Sequence, residues 1–317
     1  MAVLGIDLGG TKLSLAIFTE DGKILRREST TLDRRKGKEV GHLIINEIEK
    51  ILISRDKQEY IQSIGIAVPG ISRHKTGTVW APNIPGWEDY PLLEEVKQFA
   101  RQIPVIIDSD RACYISGELW KGNAQGCKDA IFLAVGTGIG AGILINGEIL
   151  RGASDISGAI GWMALDRPFD EKYISCGCFE YNASGEGIAR VAREFLLKYS
   201  EYNGELQKKL AAEITAHDVF QAYEENDIVA KAVLEHCIGF WGMAVANLVS
   251  IFNPEKIILG GGVFGPAIQF ISAIRDEAIK WAQPISMSQV ELISSKLGSD
   301  AGLYGAGFLA LKELNLV

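Results

Sequence analysis

Two glycine-rich turns carry the residue types with which a protein holds phosphate. The first, Gly9-Gly10-Thr11-Lys12, follows an apolar run that starts at Leu4, and the second, Gly136-Thr137-Gly138-Ile139-Gly140, follows an apolar run that starts at Phe132. Glycine and threonine at a hairpin tip present backbone N–H groups and a hydroxyl without a bulky side chain, which suits close approach of phosphate oxygens. Two such tips facing each other across a cleft can hold a polyphosphate from both sides. The duplication indicates nucleotide chemistry.

Two carboxylates follow or end predicted strands. Asp7 stands directly before the first turn, and a carboxylate beside phosphate makes chemical sense when a cation lies between them, so we expect Asp7 to bind Mg²⁺ directly or through water. Its alternative role is to cap the turn of a plain hairpin.

Asp110 follows the predicted strand Val105–Ile107 at the edge where open α/β sheets place ligands. Phosphoryl transfer to an alcohol needs a carboxylate that accepts the hydroxyl proton, and Asp110 is the candidate base. It is also a candidate N-cap for a helix over Ala112–Trp120, and the two roles are compatible.

Further glycines and two cysteines suggest additional contacts. Gly260-Gly261-Gly262 follows a predicted strand and leaves a flat surface for a purine, although it is equally typical of a tight strand–helix connection. Gly185 precedes a helix and fits the same adenosine pocket. Cys176 and Cys178 have the spacing of metal ligands, but a structural zinc site needs about four Cys or His ligands and nothing nearby completes the set. Two free thiols are the favoured interpretation.

Hydrophobic periodicity predicts strands and helices that alternate along the chain, which is typical of an α/β protein with a partly parallel sheet. The predicted strands are 4–9, 12–18, 24–31, 64–68, 105–107 and 257–259, and the predicted helices are 40–55, 92–99, 190–199, 227–251 and 301–314.

Length and composition exclude several classes of protein. A chain of 317 residues, 47% hydrophobic, is long enough for two domains that share a cleft. The net charge of −8 argues against nucleic acid as a partner, and the basic residues between Arg34 and Lys38 are expected in a solvated loop. The sequence shows neither a secretory leader nor an apolar run of ~18–20 residues, so we expect no membrane association. Five scattered cysteines favour free thiols and a cytoplasmic location.

The ordered set of motifs resembles the ROK (repressor, open reading frame, kinase) family of sugar kinases and regulators, part of the actin-like ATPase superfamily. The resemblance runs almost from end to end. It rests on Asp7–Lys12, Val68–Gly70, Ala81–Trp87, Asp108–Asp110, Val135–Gly140, Arg151–Ser154, Ala183–Gly185, Asn253-Pro254, Leu259–Val263 and Gly298–Ala306.

The resemblance implies a two-domain actin-like ATPase (duplicated ribonuclease H-like) fold with an interdomain cleft. The expected small domain covers residues 1–115 with a C-terminal helix at about 304–317, and the large domain covers 116–303. The implied activity is ATP-dependent phosphorylation of a hexose-type hydroxyl in a homodimer, with ATP and Mg²⁺ as cofactors and Asp110 as base. The implied nucleotide-binding residues are Asp7, Gly9, Gly10, Thr11, Lys12, Gly136, Thr137, Gly138, Gly140, Gly185, Gly261 and Gly262. The implied sugar-binding residues are Gly70, Asn83, Ser109, Asp110, Trp162 and Glu180.

Three departures from the family pattern bear on specificity. Ser109 stands where the family has Asn, and Ala159 and Trp162 stand where it has a sugar-binding Glu and His. The family's zinc element is shortened to Cys176-Gly177-Cys178, so no structural zinc is expected. Glu180 aligns with the family's other sugar-binding glutamate. We therefore expect altered sugar specificity, unless Trp162 is a core residue that faces away from the site.

Two other classes of function compete with a kinase. A non-catalytic sugar- or nucleotide-binding regulator, in effect a pseudokinase, is the main alternative because two sugar ligands are replaced. A DNA-binding repressor is disfavoured because the first glycine motif begins at Asp7, which leaves no room for a helix-turn-helix domain. A kinase acting on a carboxylic acid fits the segments Pro82–Trp87 and Ala183–Gly185 less well than a sugar kinase does.

Overall fold

The structure is a computed structural model that describes residues 1–53, 60–198 and 202–316. The chain forms two compact units, each with a mixed five-stranded sheet and packed helices. Unit 1 contains Met1–Cys127, Ile149–Ser157 and Ser295–Val317, and unit 2 contains Lys128–Glu148 and Gly158–Ser294. The predicted α/β class is confirmed.

The sheet of unit 1 begins with the hairpin that carries the first glycine turn. The strands of this unit are β1 (Ala2–Leu8), β2 (Lys12–Thr19), β3 (Ile24–Thr31), β4 (Ile61–Val68), β5 (Ile71–Arg73), β6 (Thr78–Trp80) and β7 (Val105–Ser109). The order in the sheet is β3-β2-β1-β4-β7, with β1 antiparallel to β2 and parallel to β4. The strands β5 and β6 form a separate small hairpin after β4.

The described residues of unit 1 also form four α-helices: α1 (Lys38–Ile53), α2 (Leu92–Ala100), α3 (Asp110–Lys121) and α10 (Ala301–Glu313). Glycines let α3 and α10 approach backbone to backbone: a Cβ on Gly117 would lie 2.3 Å from the Ala301 carbonyl oxygen, and one on Gly305 would lie 1.9 Å from that of Cys113. The two contacts run in opposite directions along the helices, so α3 and α10 are antiparallel, with the start of α10 beside the second half of α3.

The sheet of unit 2 repeats the topology of the first. Its strands are β8 (Ala130–Val135), β9 (Ile139–Ile145), β10 (Glu148–Ile149), β11 (Lys256–Gly260) and β12 (Glu291–Ser294). The order is β10-β9-β8-β11-β12, with β8 antiparallel to β9 and parallel to β11. The two glycine turns therefore occupy equivalent places, each between the first and second strand of its sheet.

The helices of unit 2 are α4 (Cys178–Ala183), α5 (Gly185–Lys198), α6 (Ala216–Glu224), α7 (Ile228–Phe252), α8 (Ile271–Ile279) and α9 (Pro284–Gln289). Asp227 caps α7, accepting hydrogen bonds of 2.9 Å from the N–H groups of Val229 and Ala230. Within the described ranges, α7 is the one helix long and apolar enough to span a membrane by length and composition. It also supplies 13 buried residues, such as Trp241 and Val245, to the core of this unit.

The compact units differ from the predicted domain bounds of 1–115 and 116–303. Residues 116–127, 149–157 and 295–303 pack with unit 1, because α3 continues to Lys121 against α10, and because α10 starts at Ala301 rather than about 304. The predicted helix ends at Arg55 and Tyr199, and the chain end at Val317, lie outside the described residues.

Candidate functional site

The first glycine turn in unit 1 is closed by its own backbone. Gly9 donates a 2.9 Å hydrogen bond to the Lys12 carbonyl, while Gly10, Thr11 and Lys12 are exposed. A Cβ on Gly10 would lie 3.3 Å from the Asn83 amide nitrogen. The structure thus brings Asn83, from the loop after β6, beside the turn.

Asp7 lies in β1 immediately before this turn, against the start of α10. A Cβ on Gly302 would lie 3.0 Å from the Asp7 carboxylate, so a larger residue would crowd this carboxylate. Burial raises the pKa of Asp7 to about 7, and the negative charge of Asp110 adds to the effect, while Lys12 opposes it. Gly302 belongs to the Gly298–Ala306 motif, but its contact with Asp7 was not predicted from the sequence.

Asp110 is the first residue of α3, and the capping role falls to Ser109. The Ser109 hydroxyl oxygen accepts a 3.3 Å hydrogen bond from the Ala112 N–H. Asp110 Oδ1 accepts 2.8 Å from the Arg111 N–H, and Oδ2 accepts 3.4 Å from the Tyr114 hydroxyl. Burial raises the pKa of Asp110 to about 6, against the opposing charge of Arg111. A carboxylate with this pKa is ionised at neutral pH yet still takes up a proton readily.

A polar network that the sequence did not reveal supports the end of β7. Buried Asp108 accepts a 2.5 Å hydrogen bond from Arg151 Nη2, and Arg151 Nε donates 3.0 Å to His74 Nε2. Because His74 Nε2 accepts, Nδ1 carries the proton and donates 3.1 Å to Asp155. The available signals were the Asp108–Asp110 and Arg151–Ser154 motifs, which indicated a resemblance but no contact between them.

Gly70 joins this region through its backbone. Its φ of +82° is one that L side chains rarely adopt, and a Cβ there would lie 2.2 Å from the Trp80 carbonyl oxygen. Its own carbonyl accepts a 3.0 Å hydrogen bond from Arg111 Nη2. Gly70 therefore fixes the side chain of Arg111, the residue that directly follows Asp110.

In unit 2, three separate glycine stretches converge. Gly136 donates a 2.9 Å hydrogen bond to the Gly138 carbonyl and accepts one of 2.7 Å from the Gly185 N–H. Gly261, with a φ of +88°, lies so close to β8 that a Cβ would be 2.4 Å from the Val135 carbonyl oxygen. These contacts place the turn after β8, the start of α5 and the turn after β11 together.

A cavity of about 480 Å³ opens at this meeting point. Four predicted nucleotide-binding residues line it, namely Gly136, Thr137, Gly185 and Gly262. The other lining residues come from α5, α6, the segment before α6 and the segment after β11, and they were not predicted as binding residues: Glu186, Ala189, Arg193, Ala212, Ile214, Thr215, Ala216, His217, Phe220, Val263 and Pro266.

Two glycines of the second turn have other surroundings. Gly140 is buried in β9, paired with Ala134. A Cβ on Gly138 would lie 2.8 Å from Glu180 Oε2, so this glycine faces the carboxylate of α4. The structure therefore links the phosphate-type turn to a residue predicted to bind sugar.

Glu180 lies between the second glycine turn and the segment that differs from the family. Its Oε2 accepts a 2.7 Å hydrogen bond from the Ile139 N–H. Burial raises its pKa, while the Ile139 hydrogen bond and the charge of Arg190 oppose the shift. A Cβ on Gly161 would lie 3.0 Å from the same oxygen, which places the short 3₁₀ turn Ile160–Trp162 against Glu180.

Trp162 is a surface residue with 59% of its area exposed, so the interpretation of this indole as a core residue is wrong. Ala159 directly precedes the turn and is half-buried. The indole borders a second cavity of about 870 Å³, lined by Trp162, Ala164, Leu165, Asp166, Arg167, Pro168, Phe169, Tyr173, Ile174, Gly177 and Cys178.

Cys176 and Cys178 are both free. Across residues 1–53, 60–198 and 202–316 no group of three His, Cys, Asp or Glu side chains is arranged to hold a metal ion. The expectation that zinc is absent stays a prediction, which metal analysis of the purified protein tests.

Comparison with known proteins extends the geometric observations. The ROK family model matches residues 3–313. A glucokinase of Halalkalibacterium halodurans is 34% identical over 98% of this chain and 96% of its own length. A xylose repressor of Caldicellulosiruptor bescii is 30% identical over 99% of this chain and 79% of its own length. The crystal structure of a ROK family glucokinase from Streptomyces griseus, in complex with glucose and AMPPNP, matches with a TM-score of 0.80 and 27% identity, covering 98% of this chain and 100% of that one.

Proposed function

The chain belongs to the ROK family, and from this premise we propose that it is an ATP-dependent sugar kinase. The observation that carries the proposal is Asp110, a carboxylate of raised pKa directly after the carboxyl end of the edge strand β7. In the proposed reaction, the sugar hydroxyl oxygen bonds to the γ-phosphorus of ATP and the bond from that phosphorus to the bridging oxygen breaks. Asp110 takes the hydroxyl proton and ADP leaves.

The adenosine of ATP is assigned to the 480 Å³ cavity of unit 2. The surfaces beside Gly136 and Gly262 are open, since a Cβ on either would have nothing within 4 Å, and a flat base can lie against such a surface. Thr137 is exposed at the edge of the cavity and offers a hydroxyl to phosphate. We assign Gly9, Gly10, Thr11 and Lys12 of unit 1 to phosphate contacts as well, in accordance with their exposed backbone and charge.

Mg²⁺ fits the residues around Asp7. Burial and the negative charge of Asp110 raise the pKa of Asp7, and a divalent cation would stabilise the ionised form of this carboxylate. Bound with ATP, the metal would neutralise phosphate charge during transfer. Asp7 is the residue that we assign to hold it.

We assign sugar contacts within each unit separately. In unit 1 these are Asp110 with Asn83, Ser109 and Gly70, and in unit 2 they are Glu180 and Trp162. The replacement of a charge-capable Glu and His by Ala159 and Trp162 removes two partners for sugar hydroxyls. Each such hydrogen bond contributes about 1.5–3 kcal/mol, so we propose that free glucose is a poor substrate.

The proposed enzyme is a cytoplasmic homodimer that binds neither nucleic acid nor membrane. All five cysteines are free, as a reducing compartment requires, while the dimer rests on family resemblance. Sedimentation of the purified protein measures the assembly directly.

A coupled ADP-release assay over a panel of hexoses, amino sugars and glycosides tests the kinase proposal. We expect ATP-dependent turnover on at least one sugar and its loss in Asp110→Asn. Calorimetric binding of ATP and sugar without ADP formation on any panel member would instead support the regulatory, non-catalytic alternative.

A further inference from the structure

The 870 Å³ cavity beside Trp162 has no role in the function assigned so far. We propose that it is a subsite for an aromatic substituent carried by the sugar, so that aryl glycosides bind better than the free sugar or small alkyl glycosides. This inference rests on the proposed sugar-kinase function for its catalytic consequence, but its binding component can be measured without turnover.

The walls of the cavity have the character of an aromatic-binding site. Trp162, Phe169 and Ile174 expose 59%, 71% and 63% of their area, although apolar side chains of this size are usually buried. Tyr173 adds a buried ring among the lining residues. Aromatic rings contacting a ligand ring in offset or edge-to-face geometry gain attraction beyond the area that they bury.

One carboxylate lies along part of the lining and is already engaged. The Asp166 carboxylate accepts 2.7 Å from the Arg167 N–H and 3.5 Å from the Tyr173 hydroxyl. A mostly apolar site with a few placed polar groups is the usual composition of a small-molecule pocket. The engaged carboxylate leaves the apolar side chains as the main binding surface.

The cavity borders the 3₁₀ turn that packs against Glu180, the residue assigned to hold the sugar. Trp162 lines it, and the preceding residue, Gly161, lies against Glu180. Gly177 has a φ of +87°, and a Cβ there would lie 2.5 Å from the Trp162 Cα, so the cavity wall and the 3₁₀ turn are in direct contact. The residue against Glu180, Gly161, directly precedes Trp162. We therefore expect a substituent on a sugar held by Glu180 to lie close to the indole.

The size of the cavity decides which substituent to expect. Pockets of about 300–1,000 Å³ accommodate drug-sized molecules, and this one is near the upper end of that range. An acetyl group would leave most of it unfilled, whereas a phenyl ring or larger aglycone would contact Trp162 and Phe169 together.

Calorimetric titration with phenyl and methyl glucosides, each as both anomers, tests the subsite directly. Methyl glucoside blocks the same hydroxyl without supplying a ring. We expect Kd for phenyl glucoside to be about tenfold lower than for methyl glucoside in at least one anomer. Equal affinities for the phenyl and methyl compounds in both anomers would overturn the proposal.

Trp162→Ala and Trp281→Ala form a matched pair of variants. Trp281 is also an exposed tryptophan of unit 2, with 64% of its area accessible, and its indole donates 2.9 Å to Glu277 instead of lining the cavity. The ratio of Kd for methyl glucoside to Kd for phenyl glucoside should fall towards one in Trp162→Ala. In Trp281→Ala this ratio should stay at the value of the unmodified protein. Phe169→Ala, a change at a different wall, should also reduce the preference, which guards against a local folding defect at Trp162.

The kinetic arm distinguishes failure of the inference from failure of the kinase proposal. Trp162-dependent binding of phenyl glucoside without ADP formation would sink the kinase assignment and leave the subsite standing. ADP formation on hexoses, with equal Kd for phenyl and methyl glucoside, would support the kinase assignment and refute the subsite. If Phe169→Ala instead converts a dimer to a monomer in sedimentation and leaves phenyl binding unchanged, the cavity is an interface between copies and the proposal is wrong.

Discussion

Glu180 Oε2 accepts a 2.7 Å hydrogen bond from the backbone N–H of Ile139, the first residue of β9 after the second glycine turn. One oxygen of the carboxylate is thereby fixed by the strand that carries the proposed phosphate contacts. Within the described part of the chain, Oε1 accepts no hydrogen bond and is the atom left for a ligand. The two proposed ligand contacts in unit 2, to sugar and to phosphate, thus share one rigid piece of backbone.

Replacement of Glu180 by Gln should weaken sugar binding far more than ATP binding. The amide retains an oxygen for the Ile139 N–H but loses the charge offered to a sugar hydroxyl. A hydrogen bond to a charged group contributes about 1.5–3 kcal/mol, so KM for the sugar should rise roughly tenfold to a hundredfold. Steady-state kinetics with each substrate varied measures this. The exposed Glu171→Gln serves as control, and a larger rise in KM for ATP than for sugar would contradict the assignment.

Asp110→Asn should abolish transfer while nucleotide still binds. Asparagine keeps the size of the side chain and an oxygen for the Arg111 N–H, but it has no basic site to take up the hydroxyl proton. Loss of a general base typically lowers turnover by about 10²–10⁴-fold. Turnover and calorimetric binding of a non-hydrolysable ATP analogue are compared with those of Asp89→Asn, a change at an exposed carboxylate of the same unit. Near-normal turnover in Asp110→Asn would remove this residue from the mechanism.

The pH profile of kcat/KM should report the titration of Asp110. With Mg²⁺ and ATP saturating, so that Asp7 stays ionised, activity should fall as the pH drops through about 6, the value to which burial raises the pKa of the base Asp110. Tyr114 donates a hydrogen bond to Asp110 that lowers its pKa. Tyr114→Phe removes this donor, so the acidic limb should move to higher pH while the plateau is retained. An acidic limb that stays in place would show that another group controls it.

Thr137→Val should impair the use of ATP without affecting the sugar. Valine has nearly the shape of threonine but removes the hydroxyl at the edge of the nucleotide cavity. Loss of one hydrogen bond of about 0.5–1.5 kcal/mol predicts a rise of roughly threefold to tenfold in KM for ATP, or an equal fall in turnover. Thr137→Ser, which keeps the hydroxyl, should behave close to the unmodified protein. Equal behaviour of the valine and serine variants would exclude a phosphate contact by this side chain.

Local signals in the sequence were sufficient for most of the elements. The strand Ile24–Thr31 and the helix beginning at Leu92 follow directly from hydrophobic periodicity, and Asp227 has the chemistry of the cap that it forms. The glycine turns were recognisable because glycine and threonine at a hairpin tip have few other uses. Such features depend only on residues close together in the chain.

Contacts between segments that are far apart in the chain could not be predicted from the sequence. Arg151 binds Asp108, 43 positions earlier in the chain, and Arg193 lines the 480 Å³ cavity of unit 2 from the middle of α5. The sequence pattern of α5 does not show that Arg193 faces this cavity. The raised pKa of Asp7 likewise arises from burial beneath Gly302, which only the packed helix supplies.

The start of α3 shows how a helix boundary can differ from its local signal. Asp and Ser are both favoured caps, so composition alone does not decide between Ser109 and Asp110. In the structure α3 begins at Asp110, before the predicted start at Ala112, and the residue that precedes it and caps it is therefore Ser109. The carboxylate of Asp110 accepts the N–H of the next residue instead, which leaves it at the end of β7 as the proposed base.

The double change Ala159→Glu with Trp162→His should raise phosphorylation of free glucose. It restores two charge-capable side chains at the turn that packs against Glu180, and charge-assisted hydrogen bonds are about twice as strong as neutral ones. Because Ala159 is half-buried and Trp162 is exposed, both changes should be tolerated by the fold, which circular dichroism verifies. We expect kcat/KM for glucose to rise and the preference for phenyl glucoside to fall, with the two single variants intermediate. Efficient glucose phosphorylation by the unmodified protein, or a folded double variant with unchanged sugar preference, would refute the proposed role of these positions in specificity.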